Sequence, residues 1–87
     1  MPQILKSTEN HYEVTELLAL LDSRSSHSGT AETLEVNRIS WYSEPPKIDI
    51  RWWYDDSRKP GSGVPLSDEN ARDLLSLLLA QQRAGRI

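Results

Sequence analysis

The segment Lys47–Asp56, KIDIRWWYDD, alternates charged and apolar residues and contains three consecutive aromatic residues. Read as a β-strand, it has two different faces, because successive side chains of a strand point to opposite sides of a sheet. The more apolar face, which we predict to lie on the core, consists of Ile48, Ile50, Trp52 and Tyr54. The charged face consists of Lys47, Asp49, Arg51, Trp53 and Asp55. A large ring among charged residues is a surface feature that often marks a binding site.

The segments around this strand also have the patterns of strands and turns. β-Branched and aromatic residues recur with a period of two over residues 33–42, which predicts a second strand. Residues 43–46, SEPP, end that strand because proline has no amide hydrogen for a ladder, and they join the two strands as antiparallel neighbours. Residues 57–63, SRKPGSG, are predicted to be a basic turn, and residues 64–66 a short edge strand that contains Pro65.

A C-terminal helix is predicted from Asp68 to residue 84. Ser67 has the side chain of an N-cap, the first turn is acidic, and Gly85 is a typical C-terminal stop. The run Leu74–Leu79, LLSLLL, is too apolar for a helix that exposes one face to water. Either the sheet wraps this helix, or a second subunit covers the additional leucines.

The N-terminal third of the chain has weaker patterns. Residues 12–22 fit both an amphipathic helix and an imperfect strand, and their periodicity slightly favours the helix. Residues 1–11 have no sustained period and are predicted to be a flexible arm. Residues 23–30, SRSSHSGT, are predicted to be a connecting loop. We therefore expect one folded domain over residues 12–87.

Composition and motifs argue against several classes of function. The chain has 87 residues, no cysteine and two isolated histidines, His11 and His27, so we predict no disulfide, no metal ion and no other cofactor. No apolar run reaches the length of a membrane span, so we expect a cytoplasmic protein without a membrane partner. We do not expect an enzyme, because the sequence pairs no nucleophile with a base and has no phosphate-binding glycine loop.

Basic and aromatic residues occur together in the predicted sheet and its last turn. Single-stranded nucleic acid requires planar rings for its unstacked bases and cations for its phosphates. The candidate binding residues are Arg38, Trp41, Lys47, Arg51, Trp53, Tyr54, Arg58 and Lys59. A net charge of −3 argues mildly against nucleic-acid binding, and a purely structural role for the tryptophans has about equal support.

Three motifs follow one another in order along the chain. They are Glu35–Trp41, EVNRISW; Pro46–Arg51, PKIDIR; and Lys59–Ser67, KPGSGVPLS, before an acidic helix start. This series resembles the family of transcriptional positive cofactor 4, and in particular its bacterial YdbC-type branch. The resemblance covers residues 12–80.

The resemblance implies an α+β fold with a curved, four-stranded antiparallel sheet followed by one C-terminal helix, in which residues 12–22 form the first strand. It implies a homodimer whose subunit contact includes Leu74, Leu77, Leu78 and Leu79. It also implies binding of single-stranded DNA, with RNA as a second candidate, and with little sequence preference. The corresponding role is in transcription regulation or in DNA replication and repair, at the nucleoid if the source is bacterial.

The resemblance also assigns individual residues. Arg51 matches the arginine of the family's Asp-Ile-Arg motif, and Trp53 or Tyr54 matches the stacking ring that follows it. Ser62 stands where the family commonly has a lysine, and Pro65 replaces a serine or threonine of the last strand. These departures and the acidic balance favour one alternative, a protein-interaction or scaffold module that has the same fold and a weakened nucleic-acid surface.

Overall fold

The structure is a computed structural model that describes residues 6–8, 11–25, 29–55 and 59–87. In this described part of the chain, one antiparallel sheet contains five strands that are neighbours in chain order. The strands are β1 (Lys6–Thr8), β2 (Tyr12–Ser25), β3 (Ala31–Trp41), β4 (Lys47–Tyr54) and β5 (Lys59–Leu66), and the helix α1 (Asp68–Arg83) follows them. The predicted α+β fold, an antiparallel sheet followed by one C-terminal helix, is confirmed.

Strand β1 is an addition to the four predicted strands, which correspond to β2–β5. It lies inside the predicted flexible arm, residues 1–11, and pairs with the start of β2 through Lys6 opposite Val14 and Thr8 opposite Tyr12. Residues 1–5 and 9–10 of that arm lie outside the described residues.

Strand β2 shows that the helical period of residues 12–22 is misleading. The segment is extended throughout, as the family resemblance implied, and the preference for a helix was wrong. Its 14 residues pair with the 11 residues of β3, and the register shifts at three places between Val14 and Asp22. Each shift inserts an extra residue as a β-bulge, which breaks the alternation of a strand. Three bulges in one strand therefore produce an apolar spacing that resembles a helix.

The sheet is strongly coiled. Tyr12 of β2 pairs with Trp41, and Trp53 of β4 pairs with Thr33, which lies eight positions earlier on β3 (41 − 33). On a flat sheet, eight residues along a strand span roughly 26 Å. The rings of Tyr12 and Trp53 are nevertheless only 5.6 Å apart at their centroids. The sheet therefore curls toward the side that carries both rings, and we call this side the concave face.

The concave face contains the buried core, which corrects the predicted assignment of the two sides of β4. Its buried apolar residues, with Trp41 packed against them, are Tyr12, Val14, Ile39 and Trp53. The side of β4 that was predicted to be the core carries Ile48, Ile50, Trp52 and Tyr54, and all four are only half-buried on the convex face. The prediction failed because the coil of the sheet encloses one side, whatever its charge.

The connections also differ in length from the prediction. β2 continues to Ser25, so the first three residues of the predicted loop 23–30 are strand. β5 begins at Lys59, so residues 59–63 of the predicted turn 57–63 are strand as well. Residues 26–28 and 56–58 lie outside the described residues. β5 is an edge strand, as Pro65 required.

Helix α1 begins at Asp68 as predicted and ends at Arg83, one residue before the predicted end. The Ser67 side chain accepts a hydrogen bond from the backbone amide of Asn70 at 3.0 Å, and Gly85 has a φ of 76° after the cap at Ala84. Among the described elements the helix lies against β4 and β5, and none of its residues is buried. The described chain contains no helix that is long and apolar enough to cross a membrane. The sheet of one chain thus leaves four of the leucines of α1 exposed: Leu75, Leu77, Leu78 and Leu79.

Gly63 is required where β5 passes over β4, because a Cβ at this position would lie 1.9 Å from the Cβ of Arg51 and 2.5 Å from the Ile50 carbonyl oxygen. We expect Gly63→Ala to lower the free energy of unfolding by about 3 kcal/mol, since backbone atoms would have to move apart. Urea denaturation followed by tryptophan fluorescence measures this change. The control is Ser62→Ala, because Ser62 is the exposed residue next to Gly63. Equal midpoints for the two variants would show that β5 does not approach β4 this closely.

Candidate nucleic-acid interface

The centre of the concave face is occupied by an ion pair between two residues of β4. Asp49 and Arg51 lie two positions apart and therefore on the same side of the strand. Arg51 Nε donates to Asp49 Oδ1 at 2.7 Å, and Nη2 donates to Asp49 Oδ2 at 2.9 Å. Nη1 donates to the Gly61 carbonyl oxygen of β5 at 2.9 Å. Asp49 is fully buried and the Arg51 side chain is 12% exposed, so this is a bidentate pair largely removed from water.

Trp41, the last residue of β3, contacts both members of this ion pair. Its Nε1 donates to Asp49 Oδ2 at 3.3 Å, and its ring lies 4.7 Å from the guanidinium carbon of Arg51. The ring of Tyr12 lies 5.5 Å away. Trp41 is only half-buried, so it connects the interior with the rim of the concave face.

A second polar pair lies on β3 directly opposite the ion pair. Glu35 pairs in register with Arg51, and Asn37 pairs with Asp49. The Asn37 Nδ2 donates to Glu35 Oε1 at 3.2 Å, and the Thr33 hydroxyl donates to Glu35 Oε2 at 2.6 Å. Glu35 and Asn37 are buried, and Asn37 Oδ1 accepts no hydrogen bond from the described residues. We call Glu35, Asn37, Asp49 and Arg51 the buried network.

Sequence reasoning missed the role of three members of this network, Glu35, Asn37 and Asp49. A signal for it exists, since Glu-x-Asn and Asp-x-Arg both have the period of a strand and lie in adjacent predicted strands. That spacing puts two acidic residues and one cation on one shared face. Such a pattern predicts that the cation pairs with one of the two carboxylates on that face.

Trp53 is not available as a stacking surface, which corrects its predicted role. Its side chain is fully buried in the core beside Tyr12. It lies on the same side of β4 as Arg51, as predicted, but the coil of the sheet encloses that side. The same burial raises the pKa of the Tyr12 hydroxyl above its usual value of 10.0, because removal from water disfavours the charged form.

The structure distributes the other candidate residues over different surfaces. Arg38 is half-buried on the convex face in register with Ile48. Tyr54 is half-buried and pairs with the exposed Lys59 at the edge of the sheet, with its ring over Gly61. Arg58 lies outside the described residues. Arg38, Tyr54 and Lys59 therefore do not form one continuous surface with Trp41.

Three of the predicted binding residues, Trp41, Lys47 and Arg51, line one pocket of about 350 Å³. This pocket opens at the rim of the concave face. Its lining, which defines the rim pocket, consists of Ile39, Trp41, Tyr42, Glu44, Pro45, Lys47, Arg51 and Pro65. The side chain of Lys47 is 45% exposed, and its Nζ lies 3.9 Å from Glu44 Oε2. The rim pocket thus combines aromatic rings with two cations.

The predicted subunit contact lies on α1. Leu74 is half-buried, and the three other leucines of the prediction, Leu77, Leu78 and Leu79, are exposed. Leu75 is exposed as well. The helix therefore presents a largely apolar surface that its own sheet does not cover.

Removal of the buried anion should be costly, because Arg51 would remain as an uncompensated charge in the interior. We expect Asp49→Ala to lower the free energy of unfolding by about 3–5 kcal/mol. Replacement of both partners, Asp49→Ala with Arg51→Met, should cost less than the single change, since no charge is left unpaired. The control is Lys47→Ala, which removes an exposed ion pair and should cost less than about 1 kcal/mol.

Chemical denaturation of these variants measures the three free energies. Similar losses for Asp49→Ala and Lys47→Ala would show that the Asp49 carboxylate is not in a closed interior.

Comparison with known proteins places the chain in a family but assigns no activity. No family model matches the chain. An uncharacterized protein of Treponema pallidum (strain Nichols) is 44% identical to it over 69 residues, which cover 76% of each chain. The two sequences are thus similar over most of their length. The chain belongs to the same family as this uncharacterized treponemal protein.

Proposed function

We propose that the protein binds single-stranded DNA with little sequence preference, and that the rim pocket is the contact. The observation that carries this proposal is the meeting of Trp41 with Lys47 and Arg51 at one opening. Unstacked bases bind to aromatic rings, and the backbone of the strand binds to cations beside them. Single-stranded RNA offers the same groups and is the second ligand to test.

The two cations of the rim pocket have capacity for a phosphate. A guanidinium carries five N–H groups, and Arg51 uses three of them on Asp49 and Gly61. Among the described residues, Lys47 has one ionic partner, Glu44, at 3.9 Å. Each neutralised phosphate of a single strand contributes about 0.7 to the log–log salt dependence of the affinity. Two such contacts predict a slope of about 1.4 per subunit, which describes modest binding and agrees with a net charge of −3.

Homodimer formation is the second part of the proposal, and it rests on uncovered leucines. On α1, Leu77 is 55% exposed, and its neighbours Leu75, Leu78 and Leu79 are also exposed. On β2 the exposed leucines are Leu17, Leu18, Leu20 and Leu21. Apolar surface of this extent on a small chain favours association, since burial releases water from it. A second copy supplies the same apolar surfaces and covers them symmetrically.

The corresponding cellular role is in transcription regulation, or in DNA replication and repair, where single strands are exposed. Such a role implies a location at the nucleoid in a bacterial cytoplasm. The proposal involves no catalytic step, because stacking and ion pairing with a single strand form and break no covalent bond.

A protein-interaction module is the second candidate function. It is favoured by the bonding of Arg51, whose guanidinium is largely occupied by the buried carboxylate of Asp49. It is also favoured by the leucines of β2, which could bind an apolar segment of a partner. In that case Lys47 would make no contribution to DNA binding.

Loss of the ring and reversal of the charge at the rim pocket should both weaken DNA binding. We expect Trp41→Ala to weaken the affinity for labelled oligothymidine about tenfold, because one base loses its stacking partner. We expect a similar loss for Lys47→Glu, with a smaller salt slope. Fluorescence anisotropy at two salt concentrations measures both effects.

The matched control for Lys47→Glu is Arg83→Glu on the helix, which changes the net charge equally. It should bind within about twofold of the unchanged protein, since the loss depends on position and not on total charge. The proposed site would be contradicted if Lys47→Glu and Arg83→Glu lowered the affinity for oligothymidine equally. It would also be contradicted if the unchanged protein did not bind oligothymidine.

The subunit contact should be broken by charges on α1. We expect a sedimentation mass of two chains at micromolar concentration, and of one chain for Leu77→Asp combined with Leu78→Asp, because carboxylates resist burial in an apolar contact. Ser76→Asp places a charge on the same helix outside these leucines and should leave the mass at two chains. A mass of one chain for the unchanged protein would refute the dimer.

A further inference from the structure

The residue that ends strand β3 has an unusual backbone and an exposed ring. Tyr42 has a φ of 51°, and Ser43 after it has a φ of 64°. Residues with a Cβ rarely adopt this left-handed region, and a bulky aromatic residue there is an outlier. Tyr42 is nevertheless 69% exposed, so burial does not compensate for the strained backbone.

The surrounding hydrogen bonds hold this conformation in place. The Tyr42 amide donates to the His11 carbonyl oxygen at 2.8 Å, and the Glu44 amide donates to the Trp41 carbonyl oxygen at 3.0 Å. The Ser40 hydroxyl donates to the Glu44 carbonyl oxygen at 2.6 Å. The Tyr42 ring meets the His11 ring edge-on at 5.7 Å. Contacts on both sides of the turn therefore hold the Tyr42 ring in one position.

The Tyr42 ring, fixed in this way, lines the rim pocket. Tyr42 follows Trp41 directly in sequence, and both line the same opening as Lys47 and Arg51. Backbone strain that the neighbouring structure maintains is typical of binding sites, where it positions a group before the ligand arrives. Asparagine or glycine would fit this turn with less strain, so the ring itself is the feature to explain.

We propose that Tyr42 is a stacking residue and that the rim pocket holds one unpaired nucleotide, with its base against the Tyr42 ring and its phosphate at Lys47 and Arg51. This inference rests on the proposed function and narrows it to a single nucleotide unit. The volume of about 350 Å³ lies near the lower end of the range for small-ligand pockets, about 300–1,000 Å³. It accommodates one nucleotide and not a folded stretch of the strand.

The charges at the opening define how the phosphate would bind. Glu44 Oε2 lies 3.9 Å from Lys47 Nζ, so the lysine has a partner before the ligand arrives. A phosphate that binds Lys47 would have to displace the Glu44 carboxylate. The two negative groups would also repel each other at this short distance. Glu44→Gln should therefore strengthen nucleotide binding, in contrast to a change that removes a contact.

Substitutions at Tyr42 separate a role in binding from a role in folding. We expect Tyr42→Asn to weaken the affinity for oligothymidine about tenfold, because a base loses its stacking partner. The same variant should unfold at an equal or higher urea concentration, since asparagine tolerates the left-handed region. Tyr42→Phe keeps the ring and should bind within about twofold of the unchanged protein.

The ligand experiment uses thymidine monophosphate as a competitor of labelled oligothymidine, with thymidine and inorganic phosphate as matched controls. We expect the monophosphate to compete, and thymidine and phosphate each to compete less well, because the pocket contacts both parts of the nucleotide. Glu44→Gln should lower the concentration of monophosphate that is needed.

The outcomes distinguish this inference from the proposed function. If oligothymidine binds but Tyr42→Asn binds equally well, or the monophosphate does not compete, the single-nucleotide pocket is refuted while DNA binding stands. A lower unfolding midpoint for Tyr42→Asn would make Tyr42 a structural residue and also refute the inference. If the unchanged protein does not bind oligothymidine at low salt, both proposals fail.

Discussion

The ion pair between Asp49 and Arg51 constrains the rest of the molecule, because both charges lie inside the coiled sheet. Two charges leave water only when their geometry is good and their remaining hydrogen bonds are satisfied. The bidentate contact, the Gly61 carbonyl and the Trp41 indole provide this environment. β4 is thereby tied to β3 on one side and to β5 on the other. The same constraint explains the glycine at position 63, because β5 approaches Arg51 too closely there for a side chain.

Enclosure of this pair decides which aromatic residues can meet a ligand. Trp53 lies on the same side of β4 and is enclosed with the network, so it contributes packing and not recognition. Trp41 and Tyr42 lie where the concave face opens, and Lys47 lies beside them. The surface proposed to bind single strands is consequently smaller than the whole charged row of β4. Under this proposal, a small contact with few cations predicts weak binding by one chain and tighter binding by two linked contacts.

Features that depend on a few neighbouring residues could be predicted from the sequence. The turn at Pro45 and Pro46 and the helix capped by Ser67 follow from local chemistry, and both are present. The extended state of β2 and the choice of the buried side of β4 could not be predicted in this way. Both depend on the bulges of β2, which coil the sheet and have no distinctive local pattern. Tyr42 was missed because its left-handed backbone depends on the turn around it.

The indole N–H resonances of the three tryptophans test the central claim most directly, since each reports on one position and Trp→Phe variants assign them. On addition of oligothymidine at low salt, the Trp41 resonance should shift with saturation, while the Trp53 resonance should stay in place because its ring is enclosed. A Trp53 resonance that shifts as far as that of Trp41, or three resonances that do not respond, would contradict the account of a closed network beside an open rim pocket.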